Sequence, residues 1–393
     1  MSSSFSRRSL LQGAAAVAGA GVLGGANTSF GQSAVTDKPA LLVVFLNGGY
    51  NSLFPSHDSF QGAGAFGCSA GNALDLGNGL VVDATFRSMP AFAQSHMASV
   101  GIRHGLTAHE AAQPSLASAG GRSYLLQLAR VLGGDAAIKA AVVGGNGPDG
   151  PKPAEGDVSM QTITDMRATI AALGGDIDPS VPNREIATNA LVASTTMSKK
   201  RLVRSPNSLL SVKDGLATGV ETLRRQGLAL DYPALCMAYG VPVGTTGVSN
   251  FRTQMMAADL MVQAGANVVF ADDVGWDTHG DTNGNTVRDM MSTRILPPLN
   301  TFMSRLLETT WRNVNVAIYG DFARSLPGSD HQGNLTATVI GKNVRVGTTG
   351  KTSSNVGLAA GTPGIQQFWA YLAALTRSPE PLFGANPHTA ITL

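Results

Sequence analysis

Charged side chains make up only 14% of the 393 residues, where about 25% is usual. Lys and Arg number 28 against 26 Asp and Glu, for a formal net charge of +2. No block of Lys or Arg is long enough to grip a phosphate backbone, which argues against a nucleic-acid partner. The one basic cluster, Lys199, Lys200, Arg201 and Arg204, reads as a solvated helix end or loop, with an anion-docking patch as the alternative. Cysteine is nearly missing. Cys68 and Cys236 form neither a disulfide framework nor a zinc-finger pattern, and their spacing leaves open whether they bridge each other in an oxidising compartment. No apolar run reaches the roughly 20 residues of a membrane span, and no segment recurs at a fixed period. Glycine stands in for the missing charge, with 47 residues. The 43% of hydrophobic residues allow a sizeable core and argue against global disorder. The surface must then be built from Gly, Ser, Thr and Asn, which suits an extracytoplasmic protein with many loops.

Residues 1–34 fit that setting. A start carrying Ser6-Arg7-Arg8-Ser9-Leu10-Leu11 leads into an Ala/Gly/Val/Leu run over 13–26, followed by small residues. A charged start, a modest apolar run and small residues make a signal peptide, and the paired arginines are those of the twin-arginine route. Cleavage is expected between Ala26 and Ala34, and the mature chain is expected in the periplasm or outside the cell.

Residues 40–46 (Ala-Leu-Leu-Val-Val-Phe-Leu) are continuously apolar between Asp37-Lys38-Pro39 and Asn47-Gly48-Gly49. This is the pattern of a strand buried on both faces in a mainly parallel sheet. Comparable runs recur at 100–102, 140–143, 267–271 and 314–319. Helical patterns lie between and after them, at 208–225, 251–264, 286–309 with an interruption at Pro297-Pro298, and 366–375. Strands alternating with helices predict an α/β architecture, a mainly parallel central sheet flanked by helices. No stretch reads as an interdomain linker, so residues 35–393 are expected to form one domain. Residues 145–156 read as a loop, and 341–357 as a loop or hairpin.

Some motifs mislead. Residues 62–67 match the dinucleotide fingerprint letter for letter, but no strand precedes and no helix follows. Gly67-Cys68-Ser69-Ala70-Gly71 matches a nucleophile elbow with the same defect. No nucleotide cofactor is therefore expected. A more coherent signal is the set of polar residues at strand ends. Asn47 ends the first strand; His109 follows the run at 100–102; Asp277 and His279 follow 267–271; Asp321, Asp330 and His331 follow 314–319. In open α/β sheets that edge holds the ligand crevice. Asp277 and His279 project to one side if extended, and a carboxylate beside an imidazole suits zinc or a similar ion.

At these residues the chain resembles a known group. The twin-arginine start, Asn47-Gly48-Gly49, Gly275-Trp276-Asp277-Thr278-His279, and Asp321-Phe322-Ala323-Arg324 followed by Asp330-His331 look like the exported bacterial family catalogued as domain of unknown function 1501. That family is grouped with the alkaline-phosphatase and sulfatase superfamily. The resemblance spans essentially the mature chain, least clearly over residues 145–250. It implies an alkaline-phosphatase-like fold and hydrolysis of a phosphate or sulfate ester with a divalent metal such as zinc, manganese or calcium. Asp277, His279, Asp321 and His331 would be metal ligands, Asp330 a ligand or the group orienting His331, and Arg324 a clamp on an anionic oxygen. The departures are specific. Asn47 stands where working members carry a metal-binding Asp, Asn51 where many relatives carry Asp or Ser, and Ala108-His109 where relatives often show Ser-His. Thr107 is then the nearest hydroxyl to His109, and the resemblance makes Thr107, His109 and Arg324 the candidate catalytic residues. The alternative is a catalytically silent relative that binds a glycan, polymer or protein partner in the cell envelope.

Overall fold

The computed structural model describes residues 38–50, 54, 69–134, 136–145, 147, 154–173, 231–308, 312–324, 329–350, 358 and 360–393. The signal segment, the fingerprint at 62–67, Cys68, Asn51, the basic cluster and the helix expected at 208–225 lie outside them. Contacts divide the chain into two units, Met1–Val35 with Arg167–Asp231, and Thr36–Met166 with Tyr232–Leu393. Of the first, residues 167–173 and 231 are described, 167–172 within the helix Met166–Ala172. The second carries the sheet and every candidate site residue.

Nine strands build one sheet: β1 Ala40–Asn47, β2 Met97–Arg103, β3 Ala140–Val143, β4 Ala154–Glu155, β5 Val158–Ile163, β6 Val268–Val274, β7 Val314–Gly320, β8 Asn334–Gly341 and β9 Gly347–Thr349. Their order is β9-β2-β8-β7-β1-β6-β3-β5-β4. β1 lies parallel to both β6 and β7, and the pairs β6–β3, β3–β5 and β9–β2 are also parallel. β8 runs against β7 and β2, so β2 points the same way as β7. β4 runs against β5. The protein is thus α/β with a mostly parallel sheet, and the C-terminal ends of β1, β2, β3, β6 and β7 share one edge.

The helices that matter here are α1 His109–Ala117, α2 Tyr124–Leu132, α3 Phe251–Gln263 and α5 Ile365–Leu375. α4 is a composite running from Asn285–Met290 through Met291–Ile295 and Leu296–Met303 to Ser304–Glu308. Every residue of β1 except Asn47 is buried, because helices cover both faces. Leu41, Val43 and Phe45 join Trp369, Phe368 and Leu372 of α5 and Leu125 and Leu128 of α2 in one cluster. The alternate residues of β1 face the other way.

Three local expectations change. The prolines do not interrupt α4. Met291–Ile295 and Ser304–Glu308 are π turns flanking Leu296–Met303, and the Leu296 N–H reaches the Met291 carbonyl, five residues back. A wider turn tolerates residues that lack an N–H. β6 extends to Val274 rather than ending at 271, because its ladder with β1 continues as Asp272↔Phe45, Asp273↔Leu46 and Val274↔Asn47. The buried Asp273 carboxylate accepts from Trp276 Nε1 at 2.9 Å and Arg294 Nη2 at 2.5 Å, which offsets its desolvation. Residues 341–357 hold the end of β8 and β9, and 145–156 hold β4.

Candidate metal centre

The first strand ends in Asn47-Gly48-Gly49 for a steric reason. Gly48 has φ +121°, and a Cβ there would lie 2.2 Å from the Asp277 amide nitrogen. Gly49, at φ +116°, would meet Arg324 Nε at 2.8 Å. Only glycine permits both the backbone conformation and the approach. The Asn47 carbonyl accepts the Trp276 N–H at 3.1 Å, and the Trp276 ring is fully buried. The ends of β1 and β6 are thereby fastened side by side.

Asp321 follows β7 and is fully buried. Oδ1 accepts the Gly48 N–H at 3.2 Å. Oδ2 accepts from His109 Nδ1 at 2.5 Å and Gln113 Nε2 at 2.9 Å. Gln113 also donates to Asn47 Oδ1 at 2.9 Å. His109 and Gln113 lie one turn apart on α1 and so share a face. The carboxylate accepts only, which puts the His109 proton on Nδ1 and leaves Nε2 with its lone pair. That Nε2 is buried without a hydrogen-bond partner and lies 3.8 Å from Asp277 Oδ2.

His331 is held the same way. Its Nδ1 donates to the Thr107 carbonyl at 2.8 Å, and its Nε2 lies 3.5 Å from Asp277 Oδ1. Its ring stands 4.6 Å from that of His109 and 4.0 Å from that of Phe322. His331 and Arg324 are paired across a two-strand ribbon, which fixes their spacing.

Asp277 is half exposed at the mouth of the group. Burial pushes its carboxyl up, but the hydrogen bond and charge of Arg324, helped by His331 and His279, outweigh that and hold it below the usual carboxylate range. Arg324 is fully buried. It donates to Asp277 Oδ1 at 2.5 Å, to the Ser329 carbonyl at 2.9 Å and to the Gly48 carbonyl. Its guanidinium therefore secures Asp277 and the Gly48 loop instead of standing open as an anion clamp.

The structure brings together His109, Asp277 and His331, whose ligand atoms all lie within 4.8 Å of one another. His279 stands beside them, with Nε2 3.2 Å from Asp277 Oδ1 and Nδ1 3.5 Å from the exposed Asp330. Asp321 and Asn47 are spent on His109, Gln113 and Gly48. Asp321 thus supports the group rather than facing it, whereas His109, expected in catalysis, is one of its three members. Thr107 is exposed and takes part through its carbonyl. Gln113 and Ser329 are the supporting residues that sequence reasoning missed. The four-residue spacing from His109 was the available signal for Gln113, once a helix starts there.

The donor set fits a divalent cation. Two imidazoles and a carboxylate converge, and each imidazole is oriented through its Nδ1, as metal-binding histidines are.

Residues 221–366 match the model of the family described as a protein of unknown function, DUF1501. That span contains Asp277, His279, Asp321, Arg324, Asp330 and His331; His109 lies outside it. No curated protein matches the chain. Among solved structures, the alkaline phosphatase from the Antarctic bacterium TAB5 aligns at a TM-score of 0.31 and 10% identity, over 87% of this chain and 98% of that one. Among the described residues no helix is long and apolar enough to cross a membrane.

Proposed function

We propose that this chain is an exported, metal-dependent hydrolase of phosphate or sulfate esters. The observation that carries the proposal is the convergence of His109 Nε2, His331 Nε2 and the Asp277 carboxylate within 4.8 Å. His109, Asp277 and His331 would hold the ion, with His279 next to them. A divalent cation there supplies positive charge against the oxygens of an anionic ester. Asp321 holds His109 through Nδ1, and the Thr107 carbonyl holds His331 through Nδ1, so both rings turn Nε2 toward the place of the ion. Arg324 keeps Asp277 ionised. Thr107, whose carbonyl anchors His331, is the hydroxyl we assign as nucleophile: its oxygen would bond to phosphorus or sulfur as the bond to the ester's alcohol oxygen breaks, and its proton would leave with the alcohol. The twin-arginine segment would carry the folded, loaded protein out of the cytoplasm.

The rival reading, a silent relative that binds a glycan, polymer or protein partner, draws on Asn47. This amide replaces a carboxylate, and its oxygen is occupied by Gln113. Turnover of aryl phosphate and aryl sulfate decides between them. The hydrolase reading expects metal-dependent turnover that falls by at least about a hundredfold in His331→Ala and in Thr107→Ala. Turnover unchanged in His331→Ala would remove it.

A further inference from the structure

A second recess opens on the same sheet edge, on the side of β6 away from β1. It encloses about 560 Å³ between the turn after β3, the end of β6, the first turn of α3 and Arg294 of α4. Small-ligand pockets span about 300–1,000 Å³. Two oxygens in it are buried without a hydrogen-bond partner, Gln254 Oε1 and Asp272 Oδ1. Gln254 is only 9% exposed. The turn above them is shaped for these side chains. A Cβ on Gly145 would lie 2.4 Å from Asp272 Oδ1, and one on Gly144, at φ +88°, would lie 2.9 Å from Gln254 Cγ.

Charge narrows the ligand class. Arg252 and Arg294 line the recess beside Asp272 and Asp273, and Arg294 is paired with Asp273, so its lining charges balance and favour neither a cation nor an anion. Two oxygens in the recess disfavour an anion. Burial, with the neighbouring Asp273, pushes the Asp272 carboxyl up. Val274, 59% exposed, adds an apolar wall. Orphaned buried acceptors call for donors, and hydroxyl groups both donate to such oxygens and accept from guanidinium groups.

We propose that this recess binds a neutral sugar unit, whose hydroxyls donate to Gln254 Oε1 and Asp272 Oδ1 and whose ring lies against Val274. None of the residues lining it belongs to the metal group. Binding is measured without turnover, so its outcome is independent of the ester-hydrolase reading.

The test is a titration of the mature protein, by calorimetry and saturation-transfer NMR, with the methyl glycosides of glucose, galactose, mannose and N-acetylglucosamine. Putrescine and inorganic phosphate serve as charged probes. At least one glycoside should bind, and Gln254→Leu and Gly145→Ala should each weaken it about tenfold or more. Asp272→Leu removes the second acceptor, should weaken binding about tenfold as well, and covers the case in which Gln254→Leu fails to fold. No glycoside binding to the folded wild type would overturn the proposal. So would affinity unchanged in folded Gly145→Ala, or displacement of the glycoside by putrescine or phosphate.

Discussion

Gly48 and Arg324 show how single residues set this site. The Gly48 backbone adopts a conformation that side chains resist, and its missing Cβ lets the 276–277 segment close in. Gly48→Ala should cost at least about 1–3 kcal/mol from the backbone alone, read as a lower urea midpoint, and more from displacing Asp277. Arg324 opposes the upward push of burial on Asp277. In Arg324→Ala the Asp277 carboxyl should therefore titrate higher, a shift that NMR can follow. The sign for stability follows. Folding holds this carboxyl below its unfolded value, so its contribution is complete above about pH 4 and is lost as pH falls through the lower folded value. At this scale Asp277, His279, Asp321 and His331 were legible in the sequence as chemistry, but their division of labour was not. Which carboxylate is buried depends on what α1 lays over it, and no spacing in the sequence encodes the contact from Gln113 to Asp321, 208 residues apart.

Among the elements, strands read better than their ends. β1, β3 and β7 lie within one residue of the apolar runs that predict them. β6 continues through two aspartates because β1 extends its ladder, a tertiary effect that outweighs local polarity. β8 was missed because its alternating Thr, Ala and Val residues match no continuous apolar run. α4 passes its prolines by widening into π turns, which a rule built on regular helices does not anticipate. α3 starts where its apolar pattern does, since Asn250 and Thr253 cap each other's backbone N–H groups. Asn250→Ala should remove about 0.5–2 kcal/mol of stability, measured by chemical unfolding, and detach the first turn from the rim of the second recess.

For the whole molecule, acid sensitivity should come in two windows. His104 and His388 are both pushed down to about 4, chiefly by burial. They stay neutral when folded but titrate near 6.5 when unfolded. Their stabilising effect is complete above about pH 6.5 and drains as pH falls toward 4, ahead of the Asp277 contribution. Unfolding free energy measured across that range should rise with pH, and His388→Gln should flatten the slope by up to about one proton. The core itself rests on Trp369, fully buried between sheet and helices, and Trp369→Ala should cost about 3–5 kcal/mol. The account turns on whether His109, Asp277 and His331 hold an ion. The decisive measurement is elemental analysis of the mature protein, purified without chelator or metal-affinity resin, for wild type, His109→Ala and His331→Ala. Near-stoichiometric divalent metal in the wild type, lost in both folded variants, is the predicted result. A wild type that stays metal-free after reloading with zinc, manganese or calcium would contradict it.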